Sequence, residues 1–174
     1  MRLIYLIGGP GAGKSTLMAR LTAGRDRLTV ERPVPHDRLI DPVTGGSDAV
    51  EIGRRRPMFS GTDALASAII DKAVPWLGSH PATLVLGEGA RLGNARFLTA
   101  AVDAGYDVTL AWLTHGSQED WRKARAARLG KDQNPSWVAG RVTASARLAQ
   151  SPPTGVTVIL GHPDELEPEL RELM

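Results

Sequence analysis

Cysteine is absent from this chain. That excludes disulfides and thiolate metal sites, and it suits a cytoplasmic protein, which is the expectation. Long apolar runs are missing too. Leu3–Ile7 is about as long as any, far short of the ~20 residues a helix needs to cross a bilayer, so no membrane partner is expected. The same run is too short for the apolar stretch of a signal peptide, and glycines follow it at once, so no leader is expected either. Net charge is small, +2 over 174 residues, which speaks against a broad nucleic-acid-binding face. His36, His80, His115 and His162 show no metal-ligand spacing and read as surface or loop residues.

What is present describes an ordinary globular protein, 42% apolar and 23% charged, of a length that fits a single domain over residues 1–174. The charge is unevenly spread. Residues 115–150 hold Arg122, Lys123, Arg125, Arg128, Lys131, Arg141 and Arg147 against Glu119, Asp120 and Asp132. A second basic cluster is Arg54-Arg55-Arg56. Two such patches in a near-neutral chain point to an anionic ligand in a cleft.

Hydrophobic patterning predicts strands over Arg2–Ile7, Leu28–Glu31, Ala82–Leu86, Tyr106–Leu113 and Val156–Leu160. It predicts helices over Ser15–Ala23, Asp63–Leu77, Leu92–Ala104, Ser117–Leu129, Pro135–Ala149 and Pro163–Leu173. Residues 32–60, rich in proline, glycine and arginine, read as an irregular substrate-side loop. Strands alternating with helices imply an α/β fold with a parallel sheet covered on both faces.

The strongest motif is Gly8-Gly9-Pro10-Gly11-Ala12-Gly13-Lys14-Ser15, which matches the Walker A pattern G-x-x-x-x-G-K-[ST] between a strand and a helix. Glycines let backbone amides wrap phosphate oxygens. The expected nucleotide-binding residues are Gly9, Gly11, Ala12, Gly13, Lys14, Ser15 and Thr16, with Arg122 from the basic patch. Lys14 meets the β- and γ-phosphates of ATP, and the Ser15 hydroxyl serves Mg2+. Glu88 follows a strand, where ligands of parallel sheets sit. It is a candidate metal-water holder or proton acceptor, and Arg91 a candidate for an acceptor's anionic group. The bland reading is an exposed loop carboxylate paired with Arg91.

Arg122, Arg125 and Arg128 lie three apart along one predicted helix. They form an arginine-rich helical lid over about residues 116–147, able to offset charge on a transferring phosphoryl group. Gly130 and Gly140 bracket a turn with Gln133, Asn134 and Trp137. Ser117 and Asp120 are spaced as a capping box. In Arg56–Asp63, Phe59 can stack on a base, Arg56 meet a phosphate, and Asp63 act as base or orient a hydroxyl. Ser60 and Asp63 are equally spaced as a capping box, so both can instead merely cap the next helix.

The Walker A stretch, Glu88-Gly89-Ala90-Arg91 and the arginine helix together resemble nucleoside monophosphate kinases, thymidylate kinase-like enzymes especially. There the acidic-Arg pair is adjacent; here two residues separate Glu88 from Arg91. Phe59–Leu65 and Gln133–Arg141 are similar to bacteriophage-encoded P-loop kinases, one branch of which phosphorylates 5-hydroxymethyluracil in DNA. The resemblance implies a P-loop NTPase fold with a five-stranded parallel core, ATP and Mg2+ as cofactors, and a closing lid. The implied site adds Thr62, Arg91 and Arg141 to Arg56 and Phe59 on the acceptor side, with Lys14, Arg125, Arg128, Glu88 and Asp63 as catalytic residues.

The expected activity is thus an ATP-dependent kinase with a nucleotide or a modified DNA base as acceptor. A small-molecule hydroxyl kinase is an alternative that needs no stacking residue. A non-kinase ATPase is a second, disfavoured by the absence of a strand ending in Asp-Glu. A GTPase is disfavoured because no Asn-Lys-x-Asp stretch is present.

Overall fold

The computed structural model describes residues 1–55, 60–130 and 133–174. Its strands are β1 (Arg2–Ile7), β2 (Asp26–Val30), β3 (His36–Ile40), β4 (Ala49–Ile52), β5 (Leu84–Glu88), β6 (Asp107–Leu113) and β7 (Val156–Gly161). Its helices are α1 (Lys14–Leu21), α2 (Ile70–Gly78), α3 (Ala95–Asp103), α4 (Gln118–Leu129), α5 (Pro135–Gln150) and α6 (Pro163–Glu172). All the strands join one sheet in the order β2-β3-β4-β5-β1-β6-β7.

The sheet therefore has seven strands, not the expected five. A run of five parallel strands does exist, β4-β5-β1-β6-β7. Its membership differs from the expectation, because β2 lies at the sheet edge and pairs only with β3, antiparallel. The place next to β5 belongs to β4, which with β3 falls inside residues 32–60. Within the segment read as irregular, residues 36–52 supply two of the three strands of an antiparallel meander. Ionic contacts fasten it across strands: Arg27 on β2 meets Asp37 on β3 at 3.0 Å and Glu51 on β4 at 2.7 Å.

β1 shows why a parallel strand reads as a continuous apolar run. Leu3, Tyr5 and Ile7 face one core layer with Ala73, Trp76 and Leu77 of α2 and Phe97 and Leu98 of α3. Ile4 and Leu6 face the other layer, with Leu17, Met18 and Leu21 of α1 and Leu166 and Leu170 of α6. Neither layer needs α4, which has no buried residue, and α5 contributes only Ala149 and the partly buried Leu148 near its end. α4 and the middle of α5 instead press on the phosphate loop, at Gly11 and Gly9.

The helix expected over Asp63–Leu77 starts only at Ile70. Before it come two single 3-10 turns, Thr62–Ala64 and Ser67–Ile69, separated by extended backbone at Leu65 (φ −90°, ψ 162°). Leu65, Ile69, Ala73 and Trp76 are nonetheless all buried, at 6% exposure or less. The apolar face is right while the backbone departs from a helix. The Ser117–Asp120 capping box does not form, since Ser117 makes no side-chain cap bond. Gly130 does end α4 in the left-handed conformation (φ 63°).

Candidate active site

β1 delivers the chain into the Gly8–Gly13 loop, and α1 starts at Lys14. Two glycines there are required twice over. Gly11 has φ 84°, and a Cβ on it would lie 2.5 Å from the Gln118 carbonyl oxygen and 2.8 Å from Arg122 Cβ. Gly13 has φ 87°, and its Cβ would lie 2.9 Å from Pro163 Cγ. The loop is thus left-handed at points where α4 and the start of α6 press against it. No side chain caps α1, so the amides of its first turn lack helical partners, an arrangement suited to an anion.

Lys14 curls back over the loop, its Nζ donating to the carbonyls of Gly8 at 2.9 Å and Gly9 at 3.1 Å. Burial holds this ammonium below the ordinary lysine pKa, partly offset by the carboxylates of Glu88 and Asp63, with Arg125 adding to the lowering. Ser15 Oγ donates to Glu88 Oε1 at 2.7 Å. Glu88 is the last residue of β5, not a loop residue, and is paired in register with Leu6 of β1. It is only 3% exposed. Burial pushes its carboxyl above the ordinary range, Lys14 and the Ser15 hydroxyl pull it down, and Asp63 and Glu51 push it further up. The reading of Glu88 as a solvated carboxylate paired with Arg91 does not hold, because Arg91 Nη1 donates instead to Ser67 Oγ at 3.2 Å.

The strand end is built around Glu88. Asp63 does not cap a helix; its Oδ1 accepts from the amides of Ala90 at 2.8 Å and Arg91 at 3.1 Å, pinning the turn after β5. Thr62 is fully buried beneath. Its Oγ1 donates to the Glu88 carbonyl at 2.9 Å. The Tyr5 hydroxyl shares its one proton between the Gly89 carbonyl at 3.0 Å and Thr62 Oγ1 at 2.8 Å. Gly61 (φ 66°) clears room for the carboxylate, since a Cβ there would lie 2.7 Å from Glu88 Cδ. We predict that Thr62→Val costs about 1–3 kcal/mol of stability, because the Glu88 carbonyl loses its side-chain donor while the shape is kept. Chemical denaturation measures this, and an unchanged midpoint would remove Thr62 from this network.

The walls of the cleft come from two sides. Lys14, Ser15, Thr16, Asp63 and Glu88 line one, and Arg122, Arg125 and Arg128 of α4 with Arg141 of α5 line the other. Arg122 grips Glu119 with two bonds, at 2.8 and 2.9 Å, so part of the arginine row is paired with the helix's own acid. Gly11, Ala12 and Gly13 also line the cleft, whereas Gly9, Thr62 and Arg91 do not. Arg56 and Phe59 lie outside the described residues. Trp121 on α4 lines the cleft although sequence reasoning passed over it. The available signal was a lone large aromatic in a helix otherwise built of polar residues, alanines and one leucine. His162, read as a surface residue, caps α6 by accepting from the Asp164 amide at 3.2 Å.

A mostly parallel open sheet, a glycine-rich anion loop after the central strand of its parallel run and a carboxylate on the neighbouring strand define a P-loop nucleoside-triphosphate-binding protein. The arginines facing that loop narrow the class to those that handle phosphoryl groups. The chain belongs to the P-loop nucleotide kinase 3 family, whose family model matches residues 1–174. Comparisons with curated proteins and with solved structures gave no significant match.

Proposed function

We propose that this protein is an ATP-dependent phosphotransferase acting on a nucleotide, either free or carried in DNA as a modified base such as 5-hydroxymethyluracil. The observation that carries the reading is the Ser15–Glu88 contact at 2.7 Å beside Lys14. It sets a hydroxyl and a buried carboxylate side by side at the mouth of an anion loop faced by arginines.

These donors fit magnesium, a hard cation that prefers oxygen ligands and takes few of them from the protein. Among the described residues no group of three His, Asp or Glu side chains is placed to hold a metal, so Ser15 and Glu88 would hold it together with the nucleotide's phosphates. Bound there, magnesium supplies positive charge to the β- and γ-phosphate oxygens. Lys14 leaves its two carbonyl partners for the same oxygens. Arg122, Arg125 and Arg128 converge on the transferring group as α4 and α5 close, which makes residues 116–147 the lid of a single domain. Asp63, with one oxygen committed to backbone amides, offers the other to orient an acceptor hydroxyl.

The likeness of Glu88-Gly89-Ala90-Arg91 to thymidylate kinases and of Gln133–Arg141 to bacteriophage kinases supports a nucleotide as acceptor. No helix among the described residues is long and apolar enough to cross a membrane, and a cytoplasmic site of action accords with the cysteine-free chain.

The test is incubation with γ-labelled ATP and magnesium, comparing deoxynucleoside monophosphates with DNA containing 5-hydroxymethyluracil. Label is expected on a nucleotide-bearing acceptor. Release of phosphate at the same rate with and without every acceptor would place the protein among ATPases instead.

A further inference from the structure

Two tryptophans line the cleft, Trp121 on α4 and Trp137 on α5. Trp121 is at the Gly13 end, where its Cζ3 would be 3.1 Å from a Cβ on Gly13. It is packed there against the rings of His115, at 4.4 Å, and His162, at 5.3 Å. Trp137 is in the first turn of α5. That helix meets the loop at Gly9, where Val142 Cγ2 of α5 and Gln118 Nε2 of α4 each lie 2.5 Å from where a Cβ would be.

Lys14 tells the two ends apart. Its Nζ rests on the carbonyls of Gly8 and Gly9, and the lysine of such a loop serves the β- and γ-phosphates. The transferable phosphoryl group therefore belongs at the Gly9 end, beside α5, and the rest of the donor extends toward Gly13 and Trp121. On this placement an acceptor would approach on the α5 side, where Trp137 and Arg141 line the cleft.

Trp137 has no core to serve. The only buried residue of α5 is Ala149, three turns away, and the indole is 39% exposed. Its ring carries the Arg141 guanidinium, one helical turn on, at 5.6 Å from the ring centre. A flat aromatic surface beside a pre-oriented guanidinium matches a flat base joined to a phosphate. A sugar or an alicyclic acid can pack C–H groups on an indole but lacks the planar π face of a base.

We propose that Trp137 and Arg141 form the acceptor platform, the indole stacking on the base of a nucleotide and the guanidinium taking a phosphate of that nucleotide. This rests on the phosphotransferase reading above. In the transfer, an acceptor oxygen bonds to the γ-phosphorus as the bond from that phosphorus to the bridging β–γ oxygen breaks. ADP leaves, and the proton of an acceptor hydroxyl passes to Asp63. A free nucleoside monophosphate and a nucleotide within single-stranded DNA present the same base and phosphate.

The test is steady-state kinetics of Trp137→Ala, Trp137→Phe and Arg141→Ala, with ATP affinity measured separately by titration. Acceptors are nucleoside monophosphates, the matching nucleosides and a single-stranded oligonucleotide of the same base. Trp137→Ala is expected to raise the acceptor KM about 10- to 100-fold, the scale of one base–aromatic stack. ATP affinity should hold within about twofold, and Trp137→Phe should recover most of the loss. Arg141→Ala should raise KM for the monophosphate and leave KM for the nucleoside unchanged. Whichever wild-type acceptor has the lower KM, monophosphate or oligonucleotide, identifies the source.

An unchanged acceptor KM in Trp137→Ala overturns the platform, as does a matching loss of ATP affinity. If that variant does not fold, equal KM changes for monophosphate and nucleoside in Arg141→Ala overturn it instead. A wild-type protein that binds ATP but phosphorylates only acceptors without a base refutes the platform and spares the phosphotransferase. A wild-type protein that does not bind ATP removes both.

Discussion

Replacing Lys14 by alanine is expected to lower kcat/KM for phosphoryl transfer by about 10³-fold, equivalent to ~4 kcal/mol of transition-state stabilisation. The size follows from position. The ammonium sits at the Gly8–Gly9 end of the loop, where negative charge shifts from the transferring phosphoryl group to the departing diphosphate. A charge held there in a partly dehydrated cleft is worth far more than one in water.

The fold is expected to survive the change. Burial lowers the lysine's pKa, against the pull of Glu88 and Asp63, so the folded protein holds this proton less tightly than the unfolded chain does. Relative to a neutral amine the ammonium is therefore disfavoured in the ligand-free fold, which offsets the two carbonyl hydrogen bonds lost on truncation, so the melting temperature should stay close to that of the wild type. The carbonyl of Gly9 keeps the amide of Ala12 as a donor, at 3.2 Å. Activity within tenfold of wild type, in a protein with an unaltered melting temperature, would refute the assignment of the loop to the donor triphosphate.

Glu88→Gln is expected to weaken magnesium-supported activity by about 100-fold or more, since an amide oxygen cannot replace a carboxylate as an anionic partner for a divalent cation. The amide still accepts from Ser15 Oγ, so the local shape is retained. The ordinary carboxyl has a second expected signature. Because burial raises its pKa, protons compete with the cation at a pH above the usual glutamate range. Magnesium affinity should therefore begin to fall, as the solution is acidified, earlier than an exposed carboxylate would allow.

The stability sign is the reverse of that for an ion-paired acid. A folded pKa above the unfolded one means that ligand-free stability decreases as pH rises through the interval between them. The amide variant should lose that dependence. Magnesium titrations across pH, with thermal melts of both proteins, measure the two effects. A variant with normal magnesium dependence, or a wild type whose affinity falls only in the ordinary carboxylate range, would remove Glu88 from the metal site.

Legibility along the chain followed the range of the interactions. The phosphate loop was legible because each of its parts acts within a few residues: an apolar strand, glycines where φ must be positive, then a lysine at a helix start. β3 and β4 were not. His36–Ile40 is a polar five-residue segment and Ala49–Ile52 is only four residues long, so neither carries a periodic signal. They become strands through pairing with each other and with β5, and through Arg27 joining Asp37 and Glu51 across them.

Asp63 illustrates a different limit. Its spacing from Ser60 fits a cap equally well, but in three dimensions its carboxylate serves amides 27 and 28 residues away. Arg91 is the converse: a charge that spacing placed on the acceptor lies off the cleft lining, against Ser67.

By itself the chain's order of residues determined that a strand would run into an anion-binding loop and a helix, that parallel strands would be covered on both faces, and that a row of arginines would share one helix. Those are consequences of backbone sterics and apolar periodicity, which act locally. Only the tertiary structure decided that Glu88 stands against Ser15, that Thr62 and Asp63 brace the strand end beneath it, and that Trp121 and Trp137 come to line one cleft with the loop. Each of these depends on which strand lies beside β1 and which helix crosses its carboxyl end, and such neighbours are chosen by packing between segments far apart in the chain.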